Sequence, residues 1–143
     1  MDKPIDKDAL QNILPHRDPM LLVDQVHLED GQSVGQYTVR GDEFFLQGHF
    51  PGHPVVPGVI LCEMMAQSSC LLVTVGDQDQ AYIPYFTGLN KVRFKHKVVP
   101  GDTITFRCSL VSQKDPFYFV KGEGYVGDVL CVSGELSFAV MKA

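Results

Sequence analysis

The residues best suited to chemistry are a histidine and a glutamate on either side of a proline-rich turn. His49 lies in the segment 47–58, QGHFPGHPVVPG, and Glu63 follows in the apolar run that begins at residue 59. An imidazole exchanges protons near neutral pH, and a carboxyl group shielded from water can deliver one. Because prolines fix φ along the turn, it should hold His49 rigidly. The pattern predicts an acid-base site.

The apolar run supplies a third candidate group. Residues 59–75 contain no Gly or Pro and are apolar nearly throughout, which predicts a helix buried on every side. At ~1.5 Å per residue it would be about 25 Å long. The N–H of Gly58 would lie at its N-terminus, where it has no partner within the helix and carries part of the helix dipole. It is therefore a candidate oxyanion donor.

Glu63 and Gln67 are four residues apart and would share one helix face. An unpaired carboxylate in an apolar setting costs several kcal/mol, roughly, so Glu63 should be protonated or partnered. Two readings remain open. The pair could fix the orientation of the helix, or Glu63 could work with His49 in acid-base chemistry.

The run GHFPGHPVVPGVILCEMMAQ closely resembles the active-site segment of the FabZ-type β-hydroxyacyl-acyl carrier protein dehydratases of dissociated fatty acid synthesis. The segments LPHRDPMLLVDQV and FTGLNKVRFKHKVVPGD are similar to the family's opening strand and to its segment after the helix. The likeness thus covers most of the chain. It implies an α+β hot-dog fold, with a curved antiparallel sheet wrapped around one long helix.

The same resemblance implies a hydro-lyase reaction in which a (3R)-3-hydroxyacyl thioester loses water to give the trans-2-enoyl thioester. His49 would be the base, Glu63 the acid and Gly58 N–H the oxyanion donor, while Gln67 would position Glu63. The family pattern adds that His49 and Glu63 come from different subunits of a homodimer, often within a trimer of dimers. Glu at position 63, where isomerising relatives usually carry Asp, favours simple dehydration.

A cationic row follows the helix. Four of the 12 Lys and Arg residues recur at every second position: Lys91, Arg93, Lys95 and Lys97. This spacing predicts one face of a strand, with Val92, Phe94 and Val98 facing the core. The row could be a solvated face that protects an edge strand. Alternatively, it could dock an acyl carrier protein and the phosphate of its 4′-phosphopantetheine.

The turn PHRDP also allows two interpretations. His16 and Arg17 could be solvated residues of a surface turn, or they could face a phosphate near the mouth of the site. In the proline-rich loop, His53 could close the loop structurally, act as a second acid-base group or join His49 at a metal. No third ligand is spaced for a metal, and we expect neither metal nor cofactor.

Composition limits the protein class. The 143 residues carry a net charge of -5, and 45% are apolar, as expected for one globular domain, 1–143, without a nucleic-acid partner. The opening MDKPIDKDAL lacks the apolar core of a signal peptide, which favours a cytoplasmic protein. Polar residues within the apolar run argue against a membrane span. The four cysteines, Cys62, Cys70, Cys108 and Cys131, have no metal-binding spacing and are expected to be buried thiols.

The remaining elements are predicted from periodicity and turn signals. We expect a short helix over 6–14 capped by Asp6, a hairpin of strands 20–28 and 34–40 around Asp30-Gly31, and a polar connection over 76–80. Strands should follow over 82–99, with an early bend, and over 103–111, 117–126 and 129–141. Within 103–111, the residues expected to face the core are Ile104, Phe106, Cys108 and Leu110. Five or six antiparallel strands around one helix would leave an exposed edge, which dimerisation could cover.

Three alternatives to a fatty acid dehydratase remain. A thioesterase could use the same groups and fold, a dehydratase could serve a specialised polyketide or polyunsaturated fatty acid pathway, and a non-catalytic acyl-binding module would need His49 and Glu63 only as buried polar groups.

Overall fold

A computed structural model describes residues 3–73 and 82–142. Within them, one antiparallel sheet has the strand order β1-β2-β3-β5-β6-β7-β4. The strands are β1 (Ile5–Asp6), β2 (Gln25–Glu29), β3 (Gln32–Thr38), β4 (Tyr82–Phe94), β5 (Thr103–Lys114), β6 (Phe117–Val126) and β7 (Val129–Lys142). The helices are α1 (Lys7–Leu10) and α2 (Gly58–Ser68), with 3-10 turns at Phe44–Leu46 and Cys70–Leu72.

Helix α2 packs on the middle of the sheet, against β3, β5 and β6. Met64 and Met65 are fully buried at this contact. Gly122 on β6 allows the close approach, because a Cβ there would lie 2.6 Å from the sulfur of Met65. A sheet packed on one central helix confirms the expected α+β hot-dog fold. Within the described residues, the two-residue edge strand β1 is the one strand that was not predicted.

The predicted extent of the helix is wrong at its C-terminal end. Helix α2 ends at Ser68, about 16 Å from its start at ~1.5 Å per residue. Serine hydroxyls donate hydrogen bonds to carbonyls at the end of the helix: Ser33 donates to Ser68 O and Ser69 donates to Ala66 O, each at 2.6 Å. Val59 is 73% exposed, so the helix is not buried on every side either. Residues 74 and 75 and the predicted connection 76–80 lie outside the described residues.

The first predicted helix is also too long. Asp6 caps α1 as expected, accepting a hydrogen bond from Ala9 N at 2.9 Å, but α1 ends at Leu10 rather than at residue 14. The following backbone turns through i to i-3 hydrogen bonds, from Asn12 N to Ala9 O and from Ile13 N to Leu10 O.

The first hairpin is confirmed, but its first strand begins at Gln25 instead of residue 20. The backbone before it is engaged elsewhere, because Met20 O and Leu22 N both bind the side chain of Gln67 at 2.8 Å. The turn lies at Asp30 and Gly31, whose φ values of 52° and 79° are in the left-handed region.

Two alternation patterns break at bulges. On β5, Ile104, Phe106 and Cys108 are fully buried as predicted, but a register shift between Leu110 and Ser112 leaves Leu110 40% exposed. The core position predicted for Leu110 is therefore wrong. The strand 117–126 is confirmed, and the last strand extends one residue past its predicted end.

The cationic row does not form one strand face. Strand β4 shifts register twice, between Phe86 and Gly88 as the predicted early bend, and again between Asn90 and Arg93. The second shift places Lys91 at φ 52°, and β4 ends at Phe94, before the last two cations of the row. Phe94 is 55% exposed rather than buried, whereas Val98 is fully buried. All four cationic side chains are nevertheless exposed.

The long edge of the sheet is β4. It exposes four large apolar side chains, each at least 43% accessible: Tyr85, Phe86, Leu89 and Phe94. The opposite edge, β1, has only two residues. An apolar edge of this length is a surface that proteins usually cover.

The four cysteines are free and buried, as predicted. Burial raises the pKa of Cys70 to about 12 and raises that of Cys108 further, so both are inert thiols at neutral pH. In the described part of the chain, every helix is too short or too polar to cross a membrane.

Candidate active site

Glu63 lies in the second turn of α2 with its side chain 20% exposed. Two nitrogens approach its Oε2 atom: Gln67 Nε2 at 2.8 Å and His16 Nε2 at 3.2 Å. The predicted pairing of Glu63 with Gln67 on one helix face is thus present. The contact with His16 was not predicted.

The side chain of Gln67 is held by backbone groups of the N-terminal segment. Its Oε1 accepts from Leu22 N, and its Nε2 donates to Met20 O, both at 2.8 Å. Rotating the amide by 180° would place oxygen against oxygen and N–H against N–H, so the orientation is fixed. Gln67 therefore donates to Glu63 and positions its carboxyl group.

The PHRDP turn agrees with the surface-turn interpretation at Arg17, which is exposed, but not at His16, which faces Glu63 rather than solvent. The Arg17 guanidinium donates to the carbonyls of Gln11, Leu14 and His16 at 2.8–3.1 Å. These bonds close the end of the N-terminal turn and hold His16 beside the helix. The contact joins residues 47 positions apart, and nothing in the local sequence indicates it.

His49 is held by the backbone of its own loop. Its N–H donates to Leu46 O at 3.1 Å, and its carbonyl accepts from Val55 N at 2.9 Å. Within this closure, Phe50 and His53 exchange two backbone hydrogen bonds, of 3.1 and 2.9 Å. His53 thus closes the loop through its backbone, with its side chain exposed. Gly48 and Gly52 adopt φ values of 86° and 75°, which favour glycine.

The ring of His49 is oriented for use as a base. Nδ1 lies 2.9 Å from Val55 O, and a carbonyl oxygen can only accept, so Nδ1 carries the hydrogen in the neutral ring. Nε2 then holds the lone pair. The ring stacks on Phe50, with 4.1 Å between centroids, and Phe50 itself is 54% exposed.

Gly58 is the first residue of α2, directly after Pro57. Ile60 N and Leu61 N both reach Pro57 O, while the N–H of Gly58 has no acceptor among residues 3–73 and 82–142. A Cβ at this position would lie 2.8 Å from the ring of Phe94. Gly58 therefore packs closely beneath the exposed ring of Phe94 and, among the described residues, presents an unpartnered N–H at the helix N-terminus.

Glu43, which no motif in the sequence indicated, anchors the loop that precedes His49. Glu43 is 5% exposed. Its carboxylate accepts hydrogen bonds from Tyr37 Oη at 2.7 Å, Arg40 N at 2.9 Å and Gly41 N at 2.8 Å. Burial alone would raise the pKa of Glu43, but these donors outweigh burial and hold it below its usual range. The backbone carbonyl of Glu43 accepts from Leu46 N, which starts the 3-10 turn leading to His49.

Glu63 opens onto a cavity of about 130 Å³ with mostly apolar walls. The N-terminal turn, α2 and the strands β4 and β7 all contribute to the lining, and Tyr82, Phe86, Phe138 and Val140 form its sheet side. Polar residues at the cavity include His16, Glu63, Gln67 and Ser69. Such a cavity suits a ligand with an apolar chain whose polar end lies beside the Glu63 carboxyl group.

The four predicted site residues separate into two groups. Glu63 and Gln67 line the cavity together, whereas His49 and Gly58 are not among its described lining residues. Across the described ranges, no hydrogen bond or ion pair joins His49 to Glu63. One chain therefore presents a carboxyl cavity and, separately, a histidine loop with a helix N-terminus.

Comparison with known proteins identifies the family. The FabA-like domain family matches residues 14–135. The chain is 41% identical to the 3-hydroxyacyl-[acyl-carrier-protein] dehydratase FabZ of Moorella thermoacetica, covering 95% of this chain and 96% of the relative. It is 43% identical to the FabZ of Syntrophotalea carbinolica, covering 89% and 88%.

Solved structures share the fold at lower identity. The dehydratase heterocomplex ApeI:P from Xenorhabdus doucetiae matches with a TM-score of 0.74 and 24% identity, covering 97% of this chain and 91% of that one. The conserved protein PA5202 from Pseudomonas aeruginosa matches with a TM-score of 0.68 and 17% identity, covering 93% and 99%.

The buried carboxylate of Glu43 gives a prediction for stability. Replacing Glu43→Gln should lower the free energy of unfolding at pH 7 by about 1–3 kcal/mol, because the donors around it lose a charged acceptor. Since the folded pKa is lowered, this contribution is present above the unfolded pKa of about 4.3 and is lost as the pH falls through the folded value. Urea denaturation at a series of pH values should show the two proteins converging in acid.

The matched control is Asp42→Asn, which changes a neighbouring carboxylate that is 79% exposed. We expect a change within about 0.5 kcal/mol at every pH. A gap between wild type and Glu43→Gln that stays constant with pH would contradict the role given to the Glu43 charge.

Proposed function

We propose that this chain, which belongs to the FabZ family of 3-hydroxyacyl-[acyl-carrier-protein] dehydratases, removes water from a (3R)-3-hydroxyacyl chain on acyl carrier protein to give the trans-2-enoyl thioester. It would act as a hydro-lyase in type II fatty acid biosynthesis, in the cytoplasm. The observation that carries the proposal is the Glu63 carboxyl group, held by Gln67 at the wall of an apolar cavity.

Dehydration requires removal of the α-proton, stabilisation of charge on the thioester oxygen and protonation of the leaving hydroxyl. His49 Nε2 has the free lone pair that a base needs, because Nδ1 is engaged with Val55 O. Gly58 N–H, at the positive end of α2, would donate a hydrogen bond to the thioester oxygen. Glu63 would give a proton to the β-hydroxyl, which then leaves as water.

A homodimer would complete the site. His49 is not among the residues that line the Glu63 cavity of its own chain, so we propose that the base acting at this cavity comes from a second copy. Strand β4 supports this arrangement, because it is the long apolar edge and its residues Tyr82, Pro84 and Phe86 also line the cavity. A subunit that covers β4 would lie beside the cavity. By its resemblance to the family, we extend the proposal to a trimer of dimers.

The exposed cationic residues Lys91, Arg93, Lys95 and Lys97 are proposed to dock the acidic carrier protein. The bulge distributes them around the end of β4 rather than along one face. Such a cluster on a chain with net charge -5 would steer the carrier toward β4 and the cavity that it lines.

Mass spectrometry of a β-hydroxyacyl chain on acyl carrier protein tests the reaction directly. Wild-type protein should remove one water from the acyl chain. Glu63→Gln and His49→Ala should each slow this loss by about 10²–10⁴-fold, because each removes one partner of general acid-base catalysis. Circular dichroism of each variant controls for folding.

The same spectra separate the alternatives. Release of free carrier protein would indicate a thioesterase, and an unchanged acyl chain across several chain lengths would indicate a binding module. Full activity of His49→Ala would end the assignment of the base.

Mixing inactive variants tests the shared site. If subunits exchange freely between His49→Ala and Glu63→Gln dimers, mixed dimers contain one site with both groups intact. Activity should return to about one quarter of the wild-type value, since half of the dimers are mixed and each has one working site. A mixture that exchanges subunits, shown by native mass spectrometry, yet stays inactive would mean that both groups come from one chain.

Charge reversal tests the docking surface. The pair Arg93→Glu and Lys95→Glu should raise KM for the carrier-bound substrate by about tenfold or more at low salt, and the difference should shrink as salt is added. Turnover of a short pantetheine thioester should not change. The matched control reverses Lys114 and Lys121, which are exposed on β5 and β6. Equal KM values for all three proteins would remove the docking assignment.

A further inference from the structure

The surroundings of Glu63 distinguish its two oxygens. Both polar contacts of the carboxyl group, from Gln67 Nε2 and from His16 Nε2, converge on Oε2. Among residues 3–73 and 82–142, Oε1 has no hydrogen-bond partner. Glu63 lines the cavity, so Oε1 is the oxygen left for a ligand there.

The hydrogen bond between Gln67 and Glu63 can run in only one direction, from Gln67 Nε2 to Glu63 Oε2. Gln67 cannot rotate its amide, because Leu22 N and Met20 O hold its two ends. Its nitrogen has no lone pair to accept with, so a proton on Oε2 facing Gln67 would have no acceptor. Oε2 must therefore act as an acceptor whether Glu63 is ionised or protonated.

His16 completes the arrangement as a second donor. Its Nδ1 is buried without a hydrogen-bond partner among the described residues. A bare lone pair there is less costly than a buried N–H without an acceptor, so the hydrogen belongs on Nε2, which faces Glu63. A carbonyl or carboxylate oxygen has two lone pairs, so Oε2 can accept from His16 and Gln67 together.

We propose that His16 is a positioning residue for the dehydration: together with Gln67 it donates to Glu63 Oε2, so that the transferable proton resides on Oε1. The O–H bond at Oε1 breaks as the β-hydroxyl takes the proton, and the β C–O bond breaks to release water. The α C–H electron pair becomes the new C–C π bond while His49 takes that proton. The charge left on Glu63 is met by the two donors already in place. This inference rests on the proposed function.

Arg17 supports the role of His16 from outside the site. Its guanidinium binds the carbonyl of His16 at 2.8 Å and that of Leu14 at 3.0 Å. These bonds fix the backbone on both sides of Pro15 and so hold the His16 ring against Glu63.

Two substrates distinguish positioning of the proton from a merely structural role. A 3-hydroxyacyl thioester needs a proton on its leaving group, whereas a 3-chloroacyl thioester loses chloride without one. His16→Phe keeps a ring of similar size but removes the donor. It should lower kcat for the hydroxy substrate by about tenfold or more with little change in KM, as part of the 10²–10⁴-fold contribution of general acid catalysis. Enzymatic elimination of chloride, which needs only His49 as base, should change by less than about twofold.

Further variants make the test decisive. His16→Gln restores an N–H at the distance of Nε2 and should bring kcat for the hydroxy substrate to within about threefold of wild type. His16→Leu serves as a second variant without a donor if His16→Phe does not fold. His27→Phe is the matched control: His27 also has a buried Nδ1 without a described partner and an Nε2 near a glutamate, 3.5 Å from Glu29 on β2, away from the cavity. It should leave both reactions unchanged.

Equal slowing of the two substrates in His16→Phe would overturn the inference in favour of a structural role, as would a His16→Gln variant no faster than His16→Phe. Unchanged dehydration in His16→Phe would overturn it as well. A wild-type protein that releases no water from the hydroxy substrate would instead overturn the proposed function, and the inference with it.

Discussion

The arrangement of the site depends on one buried amide. Gln67 binds the backbone of Met20 and Leu22 with both ends of its side chain, and its remaining N–H reaches Glu63. One side chain thereby joins the N-terminal segment to the central helix and orients the carboxyl group. Because a buried amide without partners costs about 1–3 kcal/mol, the segment before β2 stays irregular and keeps these bonds rather than extending the strand.

A second polar anchor serves the histidine side. Glu43 is buried beneath its loop and binds backbone N–H groups of residues 40 and 41 and the hydroxyl of Tyr37 on β3. The chain passes from this anchor through a 3-10 turn to His49, whose ring is then fixed by the carbonyl of Val55. The ring of His49 is thus held directly by a backbone carbonyl and the carboxyl group of Glu63 through the side chain of Gln67, which suits groups proposed to keep their geometry during proton transfer.

His49 lies outside the lining of the Glu63 cavity in its own chain, and the proposed dimer would connect catalysis with assembly. Strand β4 is at once the long apolar edge and a wall of the cavity that contains Glu63. A protein that must cover this edge can use the same contact to complete a site. A symmetric dimer would therefore cover the exposed sheet edge and, as proposed, would also bring a second histidine loop to the cavity.

The sequence by itself determined the features that arise from local pattern. The proline-rich loop, the helix start at Gly58, the Glu63–Gln67 spacing, the Asp30-Gly31 turn and most strands could be predicted, because φ preferences and periodicity act over a few residues. Tertiary structure decided the rest. Helix α2 stops at Ser68 because Ser33, on a distant strand, takes its terminal carbonyl. The bulge in β4 separates the cationic row, and His16 reaches Glu63 only because the N-terminal turn folds back onto α2. These contacts join residues far apart in the chain, so no local pattern could specify them.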